Sequence, residues 1–178
     1  MIRIGAGTLA GRIIEQPKTT KTRPLTSKAR ASMFNRLGDL TGLSVLDAYA
    51  GSGAFGIEAA SHGADKITFI EQSRPVAQVI ERNCADLAVS GTTVIVKSVY
   101  EAVKGLKGQS FDIILADPPY SKLNEEELEK LFYLLVEDGI GIVSHWSRAT
   151  SPQLTSADLI DARTYGDTTI SYYRGKIG

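Results

Sequence analysis

Apolar residues in this chain follow two rhythms that alternate along most of its length. Short apolar runs, such as Phe111–Ala116 with its single charge at Asp112, read as strands buried on both faces of a parallel sheet. Longer stretches with apolar positions three and four apart read as helices between them. The pattern predicts a strand at Ser44–Asp47, a helix from about Ala54 to Ser61, and a strand at Lys66–Glu71. A helix over Pro75–Ala88, a strand at Thr93–Lys97, a short helix from Tyr100 and the strand Phe111–Ala116 follow. Asn124 and the three glutamates after it form a strong helix start, and that helix is expected to run to about Val136 before a strand at Gly139–Trp146. Strands alternating with helices imply a parallel sheet covered on both faces. The end breaks the pattern: Asp158–Tyr165 and Thr168–Tyr173 flank Gly166-Asp167, a hairpin that makes the last strand antiparallel. The expected fold is α/β and Rossmann-like, with seven mostly parallel strands.

The first 36 residues stand apart. Met1–Gln16 reads as a small hairpin, with Ile2 and Ile4 on either side of Arg3, a glycine-rich turn, and a return through Arg12-Ile13-Ile14. Pro17–Pro24 has no apolar period and reads as a loop; Thr26 or Ser27 then caps a helix to about Leu37. Residues 1–36 are thus a basic extension packed on a main domain at 37–178, with no linker or internal repeat dividing the latter.

Composition adds little except through charge. At 178 residues with 43% apolar and 22% charged residues, the chain is an ordinary globular protein, and no apolar run approaches a membrane span. The N-terminus lacks the apolar core of a signal peptide, and a single cysteine, Cys84, fits a reducing cytoplasmic setting as a small buried hydrophobe. His62, His145 and Cys84 are scattered, so no metal site is expected. The zero net charge conceals eight basic residues against one acidic in the first 36, a net +7 balanced by −7 in the remainder. Arg23, Lys28 and Arg30 cluster near the start of the predicted first helix, where cations oppose the helix dipole. Such charges are either an ordinary solvated face or are kept for a polyanion.

Two stretches carry candidate chemistry. Asp117-Pro118-Pro119-Tyr120 ends a buried strand with two prolines, which fix φ and donate no hydrogen bond. A carboxylate and an aromatic ring are thereby held stiffly at the carboxyl end of a strand, where open α/β sheets bind ligands. Asp117 can accept a hydrogen bond from an exocyclic amine, the Pro118 carbonyl a second one, and Tyr120 offers a flat face to a base. The other stretch, Asp47 to Gly56, fits G-x-G-x-x-G at Gly51, Gly53 and Gly56 between a strand and a helix. Glu71, 20 residues beyond Gly51, is placed to accept from ribose hydroxyls. Asp47 in the loop's mouth repels a pyrophosphate but attracts a cation. S-adenosylmethionine, with its ammonium and sulfonium, fits better than a dinucleotide.

With these motifs the chain resembles class I methyltransferases that modify amines and, more narrowly, the RsmD family of 16S rRNA guanine-N2 methyltransferases. The resemblance is carried by Ile2–Gly7 with Gly11-Arg12, by Arg23–Thr26 with Arg30 and Phe34-Asn35, by Asp47–Glu58, by Asp117–Tyr120 and by Tyr165–Thr168. It implies methyl transfer from S-adenosylmethionine to the exocyclic amine of one guanine in the small ribosomal subunit or its assembly intermediate. It also implies roles: Asp47, Gly51 and Gly53 at the methionine part, Glu71 at the ribose, Ser98 and the Val99 backbone at the adenine. Asp117, Pro118, Pro119 and Tyr120 form the catalytic turn, and Arg3, Arg12, Arg23, Lys28 and Arg30 face RNA. The chain departs from the family at Gln72-Ser73, where an acidic residue often follows the glutamate, and at Ser98, usually Asp or Asn. Ile142–Trp146 lacks a glutamate often seen near the end of its strand. Two other readings of the motifs are adenine-N6 methylation of DNA or RNA, and a non-catalytic cofactor- or RNA-binding assembly factor. A pure binder needs no amine acceptor, and the chain has no room for a separate target-recognition domain.

Overall fold

Residues 1–18 and 25–176 are described by a computed structural model. The chain begins with a two-stranded antiparallel ribbon, β1 (Ile2–Arg3) and β2 (Ile13–Ile14), joined through a 3-10 turn at Gly7–Leu9. Helix α1 (Ser27–Leu37) follows; Thr26 is its cap, the side-chain oxygen accepting the Ala29 N–H at 3.2 Å. The alternating part then runs β3 (Ser44–Ala48), α2 (Ala54–Ser61), β4 (Lys66–Ile70), α3 (Arg74–Asp86), β5 (Thr92–Ile95), α4 (Val99–Gly105) and β6 (Phe111–Ala116). Helix α5 (Glu125–Phe132), β7 (Leu135–Trp146), β8 (Ala157–Tyr165) and β9 (Thr168–Gly175) complete it.

The seven strands β3–β9 form one sheet in the order β5-β4-β3-β6-β7-β9-β8. β3 to β7 run parallel to one another, and β9, last in sequence, inserts antiparallel between β7 and β8. The expected topology is therefore present, closing hairpin included. Strand residues alternate between two apolar layers. Val45, Ile113 and Leu115 face a cluster with Ile57 and Ile80, whereas Leu46, Ile114 and Ala116 face another with Val99, Leu128 and Phe132. The first cluster also contains Ile4, Ile14, Leu25, Met33 and Phe34, so the N-terminal segment buries its apolar side chains in the same layer as α2.

One boundary differs from expectation. Helix α5 stops at Phe132, not near Val136, because the Phe111 N–H donates to the Leu134 carbonyl at 2.8 Å and Leu135 pairs with Phe111. Pairing with β6 captures residues whose local pattern continues the helix, and the added stretch joins the strand through an irregularity between Phe111 and Ile113. The remaining ends differ from expectation by only one to a few residues.

Helix α2 lies against β4 at Gly56, where an added Cβ would fall 2.2 Å from Cε1 and 2.6 Å from Cζ of Phe69. Gly56→Ala is therefore expected to lower stability by about 1–3 kcal/mol despite alanine's better helix propensity. A lower urea midpoint with unchanged slope would show it; an unchanged midpoint would mean that the ring yields freely.

Candidate active site

Register decides what meets at the sheet's carboxyl edge. Ala48 at the end of β3 pairs with Ala116 at the end of β6, so Tyr49 and Asp117 leave the sheet side by side. The strand order reverses at this pair, with β4 on one flank and β7 on the other, which makes it the switch point where such sheets open a crevice.

The glycine loop is held by backbone donors and buried acids. Ala50 N–H donates to the Ile70 carbonyl at 2.9 Å, Gly51 N–H to Glu71 Oε2 at 3.1 Å and Gly56 N–H to Asp47 Oδ2 at 2.9 Å. Gly51 and Gly53 take φ values of +56° and +79°, where a side chain is disfavoured. Tyr49 takes φ +67° although it carries a side chain, a conformation that costs roughly 1 kcal/mol or more. Its hydroxyl donates to Glu127 at the start of α5, which fixes the ring above the loop.

Asp117 sits where β6 gives way to the proline turn. The Ser144 hydroxyl donates to Asp117 Oδ1, and among the described residues no donor meets the other oxygen. Ser144 lies one residue beyond Val143, itself the register partner of Ala116, so neighbouring strand ends bring it alongside. Burial pushes the Asp117 carboxyl up to about 6, with the Ser144 hydrogen bond pulling the other way. Tyr120 is tied down by a 3.0 Å hydrogen bond to Thr168 Oγ1, and its ring meets Trp146 edge-on at 5.2 Å between centroids.

A cleft opens between the N-terminal segment and this edge. Ile2, Gln16, Pro17, Leu25 and Arg30 line it on one side, and Tyr49–Ser52, Ala54, Phe55 and Asp117 on the other. Of the residues singled out in the sequence, Gly51, Arg30 and Asp117 are brought together here. Asp47 is fully buried behind the loop and Glu71 ends the neighbouring strand with its oxygens on Gly51 N–H and on Ser73 N–H, the latter at 2.8 Å. Gly53, Ser98, Val99, Pro118, Pro119 and Tyr120 also lie outside the cleft's lining. The Ser98 hydroxyl is engaged in a capping box with Glu101, whereas the Val99 N–H heads α4 and has no partner within that helix.

The basic residues divide. Arg3, Arg12 and Lys28 are exposed and form no ion pair among the described residues; Arg3 Nη1 donates to the Gly11 carbonyl at 3.1 Å. Arg30 does not face outward as the sequence led us to expect. It is 4% exposed, its Nε 3.1 Å from Glu58 Oε2 and its Nη2 2.7 Å from the Arg3 carbonyl, because α1 turns this side chain onto α2. Arg23 lies outside the described residues. Sequence reasoning missed Ser144, noted only as part of a departure from the family, and Glu58, named only as the end of the Asp47–Glu58 stretch that carries the resemblance. The usable signal for Ser144 was register: two adjacent parallel strands ending level.

Asp47 matters for what the site can hold. Its Oδ1 is buried without a hydrogen-bond partner among the described residues, and burial together with repulsion from Asp117 and Glu71 pushes its carboxyl well above the usual range. Three acids around one loop favour a cationic ligand and oppose a pyrophosphate. The buried Cys84 thiol, raised to about 11 chiefly by burial, is inert beside them.

The family described as "Conserved hypothetical protein 95" matches residues 2–174. The chain belongs to this family, the RsmD family. Among its relatives, YlbH of Bacillus subtilis is 31% identical over 97% of this chain and 98% of its own length. Ribosomal RNA small subunit methyltransferase D of Escherichia coli K12 is 35% identical over 78% of this chain and 68% of its own. The solved structure of yhhF from Escherichia coli superimposes with a TM-score of 0.89 at 27% identity, covering 99% of both chains. The similarity of this RsmD-family chain to yhhF thus takes in the N-terminal segment as well as the seven-stranded sheet.

Proposed function

We propose that this chain transfers a methyl group from S-adenosylmethionine to the exocyclic N2 amine of a guanine in 16S rRNA of the small ribosomal subunit or its assembly intermediate. The observation that carries the reading is Asp117: rigidly placed beside the glycine loop, open to the cleft, one oxygen taken by Ser144 and the other left for a donor. The name of the Escherichia coli relative supplies the rRNA of the small subunit as the substrate class.

S-adenosylmethionine, when bound, supplies an electrophilic methyl on a cationic sulfur, and the residues present suit it. Gly51 and Gly53 let the backbone approach the methionine part. Asp47 serves the methionine part from behind the loop, the bound cation favouring the ionised form that burial and its acidic neighbours oppose. Glu71 serves the ribose, and the Val99 N–H the adenine. Because the Ser98 hydroxyl is held by Glu101, we assign Ser98 to shaping α4's start. A guanine amine is a poor nucleophile, its lone pair delocalised into the ring. Asp117 and the Pro118 carbonyl accept its two hydrogens and favour a pyramidal nitrogen, Pro119 stiffens the turn, and Tyr120 carries the base. Positioning and preorganised electrostatics then supply most of the acceleration. A base must be unstacked to enter. Residues 1–36 act as the RNA-facing extension through Arg3, Arg12, Lys28 and Arg23, and residues 37–178 as the methyltransferase domain of a cytoplasmic enzyme. Binding through such an arm weakens steeply with salt.

Transfer of tritium from labelled S-adenosylmethionine to naked 16S rRNA, small subunits and duplex DNA tests the reading. Label on guanine N2 of the RNA is expected. Label on adenine or DNA would point to adenine-N6 methylation, and none anywhere to a non-catalytic binder.

Asp117 is a strong, acceptor-only partner for the amine when ionised; once protonated it accepts more weakly and carries a donor that opposes the amine hydrogens. Raising its pKa to about 6 therefore makes kcat/KM fall as pH drops through that value and level off above it. Ser144→Ala removes the interaction that lowers the pKa, so the acid limb is expected to move to higher pH, and Ser144→Thr to restore it. A limb unmoved by Ser144→Ala would exclude Asp117 as the titrating group.

A further inference from the structure

The single tryptophan of the chain, Trp146, stands at the carboxyl end of β7 and is half exposed. Its position is not that of a loose surface side chain. Trp146 is the register partner of Thr168, whose hydroxyl holds Tyr120. His145 beneath it is buried, donates from Nδ1 to the Trp146 carbonyl at 2.9 Å, and accepts at Nε2 from the Ser171 hydroxyl at 2.8 Å. Backbone pairing and the imidazole thus fix where the indole emerges.

The planes of Tyr120 and Trp146 lie at 69° with centroids 5.2 Å apart. A base stacked on Tyr120 is parallel to that ring, so it is turned steeply from the indole and cannot stack on both. The exposed indole surface is left for something else. Two cations stand close in sequence: Lys122, at the end of the 3-10 turn that Tyr120 begins, and Arg148, two residues beyond Trp146. Both are exposed, and neither forms an ion pair among the described residues. An exposed aromatic with uncommitted cations near it along the chain suits an unpaired nucleotide, the ring taking the base and the cations its phosphates.

On the reading given under Proposed function, we propose that Trp146 stacks a second, unpaired nucleotide next to the target guanine, so that the enzyme reads two splayed nucleotides rather than one. Tyr120 carries the base that reacts; Trp146 carries its neighbour and thereby draws the strand into the turn. Duplexed RNA, whose neighbouring bases stay stacked, is disfavoured for the same reason.

Because Trp146 is the only tryptophan, its fluorescence reports this contact directly. The test uses the full chain with S-adenosylmethionine and an rRNA fragment that the unmodified enzyme methylates, with one neighbour of the guanine replaced at a time by an abasic site. The intact fragment is expected to quench the fluorescence, and removal of one of the two neighbouring bases to abolish the quenching. That abasic substitution and Trp146→Ala should each lower kcat/KM by about 10- to 100-fold, the range of base–aromatic stacking. Trp146→Phe should recover most of the loss, and combining Trp146→Ala with the abasic fragment should add little. Cofactor affinity of Trp146→Ala should stay within twofold, which also checks its folding. Normal kcat/KM for Trp146→Ala, or quenching that survives both abasic substitutions, overturns this inference alone. A Trp146 effect confined to assembled subunits assigns the ring to a ribosomal protein and overturns it as well. Failure of the unmodified enzyme to methylate any rRNA overturns the proposed function first.

Discussion

Asp117→Ala is expected to lower kcat by at least about 100- to 1000-fold, the cost of deleting one preorganised group at a reacting centre. Binding of S-adenosylmethionine should change by no more than a few-fold. The separation follows from placement. Asp117 shares the cleft with Gly51, but the hydrogen bonds that hold the glycine loop come from Asp47, Glu71 and backbone carbonyls. Removing Asp117 also relieves a repulsion on Asp47, so the loop is not expected to loosen. Asp117→Asn should be nearly as inactive, since an amide oxygen accepts a weaker hydrogen bond and the amide nitrogen, if turned toward the substrate, opposes its amine. Single-turnover methyl transfer together with calorimetric titration of the cofactor separates the two effects. Turnover within about tenfold of the unmodified chain would sink Asp117 as the amine acceptor.

The largest effect on stability is expected at Glu58. This side chain is 1% exposed; its Oε1 accepts the Gly5 N–H at 2.7 Å and the Ala6 N–H at 3.2 Å, and its Oε2 accepts from Arg30. Glu58→Ala strands a buried guanidinium and two backbone donors at once. Breaking one side of a buried pair in this way costs about 3–5 kcal/mol. Equilibrium urea unfolding should show that loss, and amide exchange at residues 2–14 should accelerate first, because those residues are anchored through Glu58. A change below about 1 kcal/mol would mean that water or a shifted Arg30 replaces the carboxylate. Replacing both partners with apolar residues of similar volume, as in Glu58→Leu with Arg30→Met, should recover much of the stability, since neither charge then needs a partner. The pair also bears on function. Arg30 and Ile2 line the cleft, so a free N-terminal segment leaves that side of it unmade.

The same pair shows where sequence reading stopped. Arg30 belongs to a run of basic residues, and a cation near a helix start reads naturally as a phosphate contact. Its acid lies 28 residues away on another helix, and no local pattern connects them. Ser144 is a similar case. In the sequence it marks a departure from the family; in the fold it is the hydrogen-bond donor that orients Asp117. The end of α5 went wrong for a related reason, since pairing with Phe111 claims residues that helical periodicity assigns otherwise.

By itself the sequence determined the order of strands and helices, the antiparallel closing strand, the glycine loop and the proline-stiffened turn. Each is written in periodicity or in residues with restricted backbones, and both act over a few positions. Only the tertiary structure decided which partners those motifs receive: Ser144 for Asp117, Glu58 for Arg30, Trp146 beside Tyr120. These contacts join residues 26 to 28 positions apart across strand register and helix packing. Chain folding in three dimensions sets such distances, and no spacing along the sequence encodes them.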